Sequence, residues 1–165
     1  MAALLLALAV VSTGLYAGFM LIFRTGVMPA LARLSDEEFV RAMRRINEYV
    51  PRPVFLLVFL GVVVFPAAAL FVPVDGRTDT QKWLVAAGLA AAVANHLVTV
   101  AGNIPLNTAL AASEPAGASA GGSAGESAGA VRAAFERPWN RFHLLRTLLV
   151  LAAFGLLTAS AVVSG

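Results

Sequence analysis

Residues 54–72 read VFLLVFLGVVVFPAAALFV. The run carries no charged or polar side chain, and its length matches the roughly 20 helical residues needed to cross the apolar layer of a bilayer. Its apolar residues do not alternate with polar ones, unlike the ~10-residue segments of a membrane β-barrel. A helix closes its own backbone hydrogen bonds in lipid, so the run reads as a transmembrane helix. Three more apolar stretches accompany it: Ala2 to Phe23, Trp83 to Ile104, and about Phe142 to Val163. None contains Asp, Glu or Lys, and Arg146 lies near the start of the last. The expectation is an all-α, integral membrane bundle of four transmembrane helices, one domain over residues 1–165, with an extra amphipathic interface helix between the first and second crossings.

Composition supports this. The chain is 59% hydrophobic and 13% charged, with a mean hydropathy of +0.83, whereas soluble domains sit near half apolar and a quarter charged. There is no cysteine, which excludes disulfides, thiolate metal sites and a cysteine nucleophile. The net charge of +3 comes from arginine, with no basic face or stacking motif suited to nucleic acid. The first loop holds Arg24, Arg33, Arg41, Arg44, Arg45 and Arg52, and the third Arg132, Arg137 and Arg141, against Arg77 and Lys82 in the second. The positive-inside rule therefore predicts a multi-pass cell-membrane protein with the first and third loops cytoplasmic and both termini outside. The first stretch lacks the basic start and the short 7–15-residue core of a cleaved signal, so it is expected to stay as a helix.

The first loop has structure of its own. Ser35-Asp36-Glu37-Glu38 has the pattern of a capping box, in which Ser35 caps and Glu38 reaches back to its amide. Phe39, Met43, Ile46 and Val50 then recur on one helical face. The spacing predicts an amphipathic helix over about 36–50, lying at the interface or folded against the bundle, and ended by Pro51 and Pro53. In the third loop, about 111–130 is Ala, Gly and Ser with two Glu, which reads as a flexible linker. A short helix over about Val131–Arg137 should follow it, before Pro138. Gly14-x-x-x-Gly18, Gly88 with Ala92, and Gly155 with Ala159 mark close-packing seams within the bundle, and Pro66 is expected to kink the second crossing.

Polar side chains in lipid are costly and tend to face a bundle interior. If the third helix ran on regularly, His96, Asn103 and Asn107 would share one stripe, although Pro105 argues for a bend or a new helix. Trp139, His143 and Arg146 line one face of the fourth helix, with Asn140 beside them. With Arg44 and Asn47 on the interface helix, these residues predict a polar pocket at the cytoplasmic end. Structural readings stand beside the functional ones. Arg146 reads equally as a snorkelling end residue, Trp139 as an interface anchor, His143 as structural, and the two asparagines as partners for backbone freed at Pro105. His96 lies deepest, and a single interhelical hydrogen bond would satisfy it. Two histidines without a carboxylate make a poor metal set, so no metal is expected.

The chain resembles the four-helix membrane proteins of the anthrone-oxygenase-like family. The resemblance runs through Gly14-x-x-x-Gly18, Val27-Met28-Pro29-Ala30-Leu31, Ala42-Met43-Arg44-Arg45-Ile46-Asn47, Asn103-Ile104-Pro105-Leu106-Asn107 and Trp139-Asn140-x-x-His143-x-x-Arg146-Thr147. It implies a cofactor-independent oxidation of an anthrone to an anthraquinone, with the bilayer and a hydrophobic aromatic small molecule as partners and nucleic acid not among them. On that chemistry, His96 or His143 is the expected base, with Arg146 as a third catalytic residue. Asn103 and Asn107 join Arg146 in stabilising the enolate, and Trp139 stacks on the substrate. Asn47, Asn140 and Arg44 complete the expected substrate-binding set. The alternative is a non-enzymatic accessory subunit or small carrier. No internal repeat of the kind common in transporters is visible.

Overall fold

Backbone groups in an apolar layer must find partners inside their own segment, and the chain meets that demand with five helices. The computed structural model describes residues 2–73, 76–113 and 127–163. The helices are α1 (Ala3–Leu31), α2 (Asp36–Tyr49), α3 (Pro53–Phe71), α4 (Asp79–Ala112) and α5 (Ala128–Val162). Among the described residues there is no strand. α1, α3, α4 and α5 are long and apolar enough to cross a membrane. They close into a ring in which α1 and α4 each pack against both α3 and α5. The protein is an all-α, multi-pass membrane bundle with α2 as its amphipathic addition.

Three of the helices outrun the apolar runs that announce them. α5, at 35 residues, is about 52 Å long against an apolar layer of about 30 Å. The Val131–Arg137 segment is not a separate short helix, because α5 passes through Pro138 without a break. Proline costs the helix one hydrogen bond, and burial of Val131, Phe135 and Trp139 against Phe39, Val40 and Met43 of α2 holds the two sides in line. Of the linker expected at 111–130, its first residues end α4, Ser127 caps α5 and its last residues begin it. Residues 114–126 lie outside the described residues.

Two other prolines are absorbed differently. Pro29 and Pro105 each stand just after a five-residue π-helical turn, Phe23–Val27 in α1 and Thr99–Asn103 in α4. Pro105 therefore neither bends the chain into a loop nor starts a detached helix. The amide of Ile104 reaches back to the carbonyl of Thr99, and α4 continues to Ala112. The extra residue in each turn makes room for the ring that would otherwise strike the carbonyl four residues earlier.

α2 is folded against the bundle rather than laid flat. The capping box forms as read: the Glu38 amide donates to the Ser35 hydroxyl, and the Ser35 amide donates to the Glu38 carboxylate at 3.0 Å. Arg132 of α5 clamps the start of α2, donating to Asp36 and to the carbonyls of Ala32 and Leu34 while lying over the Phe39 ring. Phe39 and Met43 are fully buried. Of the small-residue seams, Gly14 faces Phe154 and Gly88 faces Leu157, whereas a Cβ added at Gly18 or Gly155 would meet nothing within 4 Å.

Ser35→Ala should cost α2 about 1 kcal/mol, read as faster amide exchange over its first turn. Hydrogen bonds from the Ser35 hydroxyl and amide hold the Glu38 carboxyl below the usual carboxylate range. The carboxylate half of the cap is therefore fully in place above that range and is lost as acid protonates Glu38. Glu38→Gln, which caps without titrating, should abolish this pH dependence. At Gly102, a Cβ would fall 2.5 Å from the Phe142 ring, so Gly102→Ala should lower stability in detergent by about 1–3 kcal/mol. Gly155→Ala, in open space, should leave the melting temperature unchanged or slightly raised.

Candidate functional site

The long end of α5 sets the site. Phe135, Trp139, His143 and Arg146 follow one another on its buried face. Arg146 stands about 27 Å from the start of α5 and about 24 Å from its end, at 1.5 Å per residue. It is only 8% exposed. Its Nε–H donates to His143 Nδ1 at 3.2 Å, and its Cζ lies 5.3 Å from the centre of the Trp139 ring. His143 is fully buried and donates from Nε2 to the Met20 carbonyl at 3.1 Å. Since a carbonyl only accepts and a guanidinium only donates, the ring is neutral with its hydrogen on Nε2. Trp139 stacks on it at 4.8 Å and 14°. His143 thus holds Arg146 from behind, and its one lone pair is already engaged.

In front of Arg146 lies a cavity of about 220 Å³. Aromatic rings wall it from three helices: Tyr16, Phe19 and Phe23 of α1, Phe55 and Phe59 of α3, and Trp139 of α5. Asn47, Thr99, Asn103 and Asn107 supply its polar atoms. Asn103 donates to the Trp139 carbonyl at 3.3 Å, and Asn107 accepts from Trp139 Nε1–H at 2.8 Å. The Tyr16 hydroxyl, Asn47 Nδ2 and Asn103 Oδ1 are buried without a hydrogen-bond partner. Among the described residues, no ion pair joins Arg146 to a carboxylate. An outer cavity of about 480 Å³, lined by Arg44, Glu48 and Thr108 among others, shares Asn47, Ile104 and Asn107 with the inner one.

The structure therefore gathers Arg146, Trp139, Asn47, Asn103 and Asn107 around one space, with His143 directly behind. Arg44 borders the outer cavity and is tied by its Nε to the Leu110 carbonyl and by Nη2 to Ser113. Asn140 does not line the inner cavity, and its Oδ1 is buried without a partner. His96 is not on the cavity wall either. Its Nδ1 lies 2.9 Å from the Ala92 carbonyl and its Nε2 2.9 Å from the Phe59 carbonyl, with its ring stacked 4.0 Å from that of Phe59. It latches α4 to α3.

The π-turn explains why His96 leaves the expected stripe. Each helical residue turns about 100°, so one inserted residue rotates everything beyond it by that much. His96, seven before Asn103, swings away, and Asn95, eight before, comes into line. Asn95 and Thr99 are accordingly buried on the inner face. Tyr16 is the functional candidate that sequence reasoning passed over. Its signal was available, since it stands within the first span on one stripe with Phe19, Met20 and Phe23, and is the one tyrosine in any span.

Fold and site together define a small multi-pass membrane protein with an aromatic-walled cavity centred on a buried arginine. The anthrone oxygenase family matches residues 39–156, which include α3, α4 and most of α2 and α5. The chain belongs to the anthrone oxygenase family. Comparison with curated proteins and with solved structures found no match. Among the described residues, no three His, Asp or Glu side chains come together as metal ligands.

The two tryptophans allow a direct check of the cavity. Trp83 is 73% exposed, while Trp139 is buried on the cavity wall. In a Trp83→Phe background, an anthraquinone should quench the remaining emission, and Asn47→Phe should abolish the quenching by filling the space. Emission that does not respond to the ligand would show that the cavity does not take a flat aromatic.

Proposed function

We propose that the protein oxidises a flat, hydrophobic aromatic ketone of the anthrone type, using dioxygen, inside the inner cavity. The observation that carries this reading is the guanidinium of Arg146, buried beside aromatic rings and, among the described residues, without a carboxylate partner. A buried charge without its opposite is costly. A ligand that gains negative charge during reaction supplies the missing partner. Such a site favours the charged intermediate over the neutral substrate, which is the requirement for catalysis.

The chemistry fits these residues. An anthrone methylene is acidic because its conjugate base is an aromatic enolate. With the ketone oxygen toward Arg146, the enolate charge falls on the guanidinium, while Asn47 and Asn103 offer the remaining polar contacts. The rings of Trp139, Phe55 and Phe59 receive the flat polycycle. The enolate passes one electron to dioxygen, and recombination at the methylene carbon gives a peroxide. Loss of the second methylene proton with O–O cleavage gives the second ketone and releases water. His143 keeps Arg146 aimed, and His96 has no part in this scheme. The excess of arginine in the first and third loops supports an orientation with the α2 end of the bundle, and with it the outer cavity, toward the cytoplasm.

The test uses the protein in lipid vesicles with an anthrone and dioxygen, following anthraquinone absorbance and oxygen uptake. The expected result is one oxygen consumed per anthraquinone formed, well above spontaneous oxidation. Arg146→Gln should slow the reaction by about 100-fold. A rate no higher than the spontaneous one would sink the reading, and tight binding without turnover would point to a carrier instead.

A further inference from the structure

The oxidation needs a group to take the methylene proton, and neither histidine is available for it. The lone pair of His143 is held by Arg146. Both ring nitrogens of His96 face main-chain carbonyls, outside the cavity. Among the side chains that wall the inner cavity, only Tyr16 and Arg146 can gain or lose a proton. Tyr16 is 1% exposed, and its hydroxyl has no hydrogen-bond partner. The side chains of Asn95 and Thr99 lie within reach of that hydroxyl. The side-chain oxygen of Asn95 is likewise buried without a partner.

We propose that Tyr16 is the catalytic acid–base residue of this site, an assignment that rests on the anthrone-type oxidation above. The argument is one of charge. The cavity holds one fixed positive charge, so it accommodates one negative charge at a time. In the active form, populated as pH rises, the Tyr16 phenolate carries it before proton transfer, and the substrate enolate carries it afterwards. As the methylene C–H bond breaks, the proton forms an O–H bond at Tyr16, and the electron pair stays on the substrate, delocalised onto the ketone oxygen. After dioxygen adds, Tyr16 returns this proton to the peroxide anion. It then takes the second methylene proton as the C=O bond forms and the O–O bond breaks. The departing hydroxide recovers that proton as water, and the phenolate is restored. No step leaves the buried site with an unmatched second charge. Asn95 is a positioning residue, its free oxygen placed to accept from the protonated Tyr16.

Proton removal can be isolated from oxidation. In anaerobic deuterated buffer, the wild-type protein should exchange the methylene hydrogens of an anthrone. Tyr16→Phe should slow that exchange by about 100-fold or more, while anthraquinone still quenches Trp139. A second measurement needs no deletion. The protein has two tyrosines, so fluorotyrosine incorporation into Tyr49→Phe labels position 16 alone. The more acidic fluorophenol should shift the rising limb of the exchange–pH profile to lower pH. Wild-type exchange rates in Tyr16→Phe, or a profile that does not move with fluorotyrosine, would overturn the assignment. Absence of exchange in the wild type would instead defeat the anthrone reading on which it rests.

Discussion

Arg146 carries a positive charge into a low-dielectric interior where, among the described residues, no acidic side chain answers it. Much of the surrounding architecture serves to hold that charge. His143 accepts from the guanidinium and is itself fixed by the Met20 carbonyl, and Trp139 lays its ring alongside. Trp139 is in turn held through its indole by Asn107 and through its carbonyl by Asn103. Each of these groups comes from α1, α4 or α5, so the charge and the helix packing depend on one another. In water such contacts would be worth little, but in a dry interior they are strong and directional.

The two π-turns are the geometric device that makes this possible. Each lies just before a proline, and each contributes to the cavity wall, Phe23 from α1 and Thr99 and Asn103 from α4. A straight α4 would have put His96 in line with Asn103. The inserted residue puts Asn95 there instead and leaves His96 to join α4 to α3. A substitution that converted the turn to regular helix would rotate one half of α4 against the other and dismantle the polar wall without altering any polar residue.

The end of the bundle beyond the apolar layer is built by the overrun of α1, α4 and α5, with α2 packed across them. This layer adds residues of α2 to the wall of the cavity. Asn47 of α2 borders both the inner and outer cavities, so the amphipathic helix supplies part of the wall as well as the roof. Its hold on the bundle comes from Phe39 and Met43 in the core and from the Arg132 clamp at its start.

Four crossings, the amphipathic helix and its capping box were legible in the sequence, because each rests on a local signal: apolar length, a 3.6-residue period, and a hydroxyl three residues before a carboxylate. The face shared by Trp139, His143 and Arg146 was legible for the same reason. The position of His96 outside the cavity wall, the alignment of Asn95 with Asn103 and the continuity of α5 through Pro138 were not. They depend on how far a helix is turned by an inserted residue and on which neighbours fill the gap at a proline. The sequence by itself determined which segments enter lipid and which residues are too polar to face it. Tertiary structure alone decided which of those residues meet, since rotation about a helix axis is set by packing between helices and not by spacing along one.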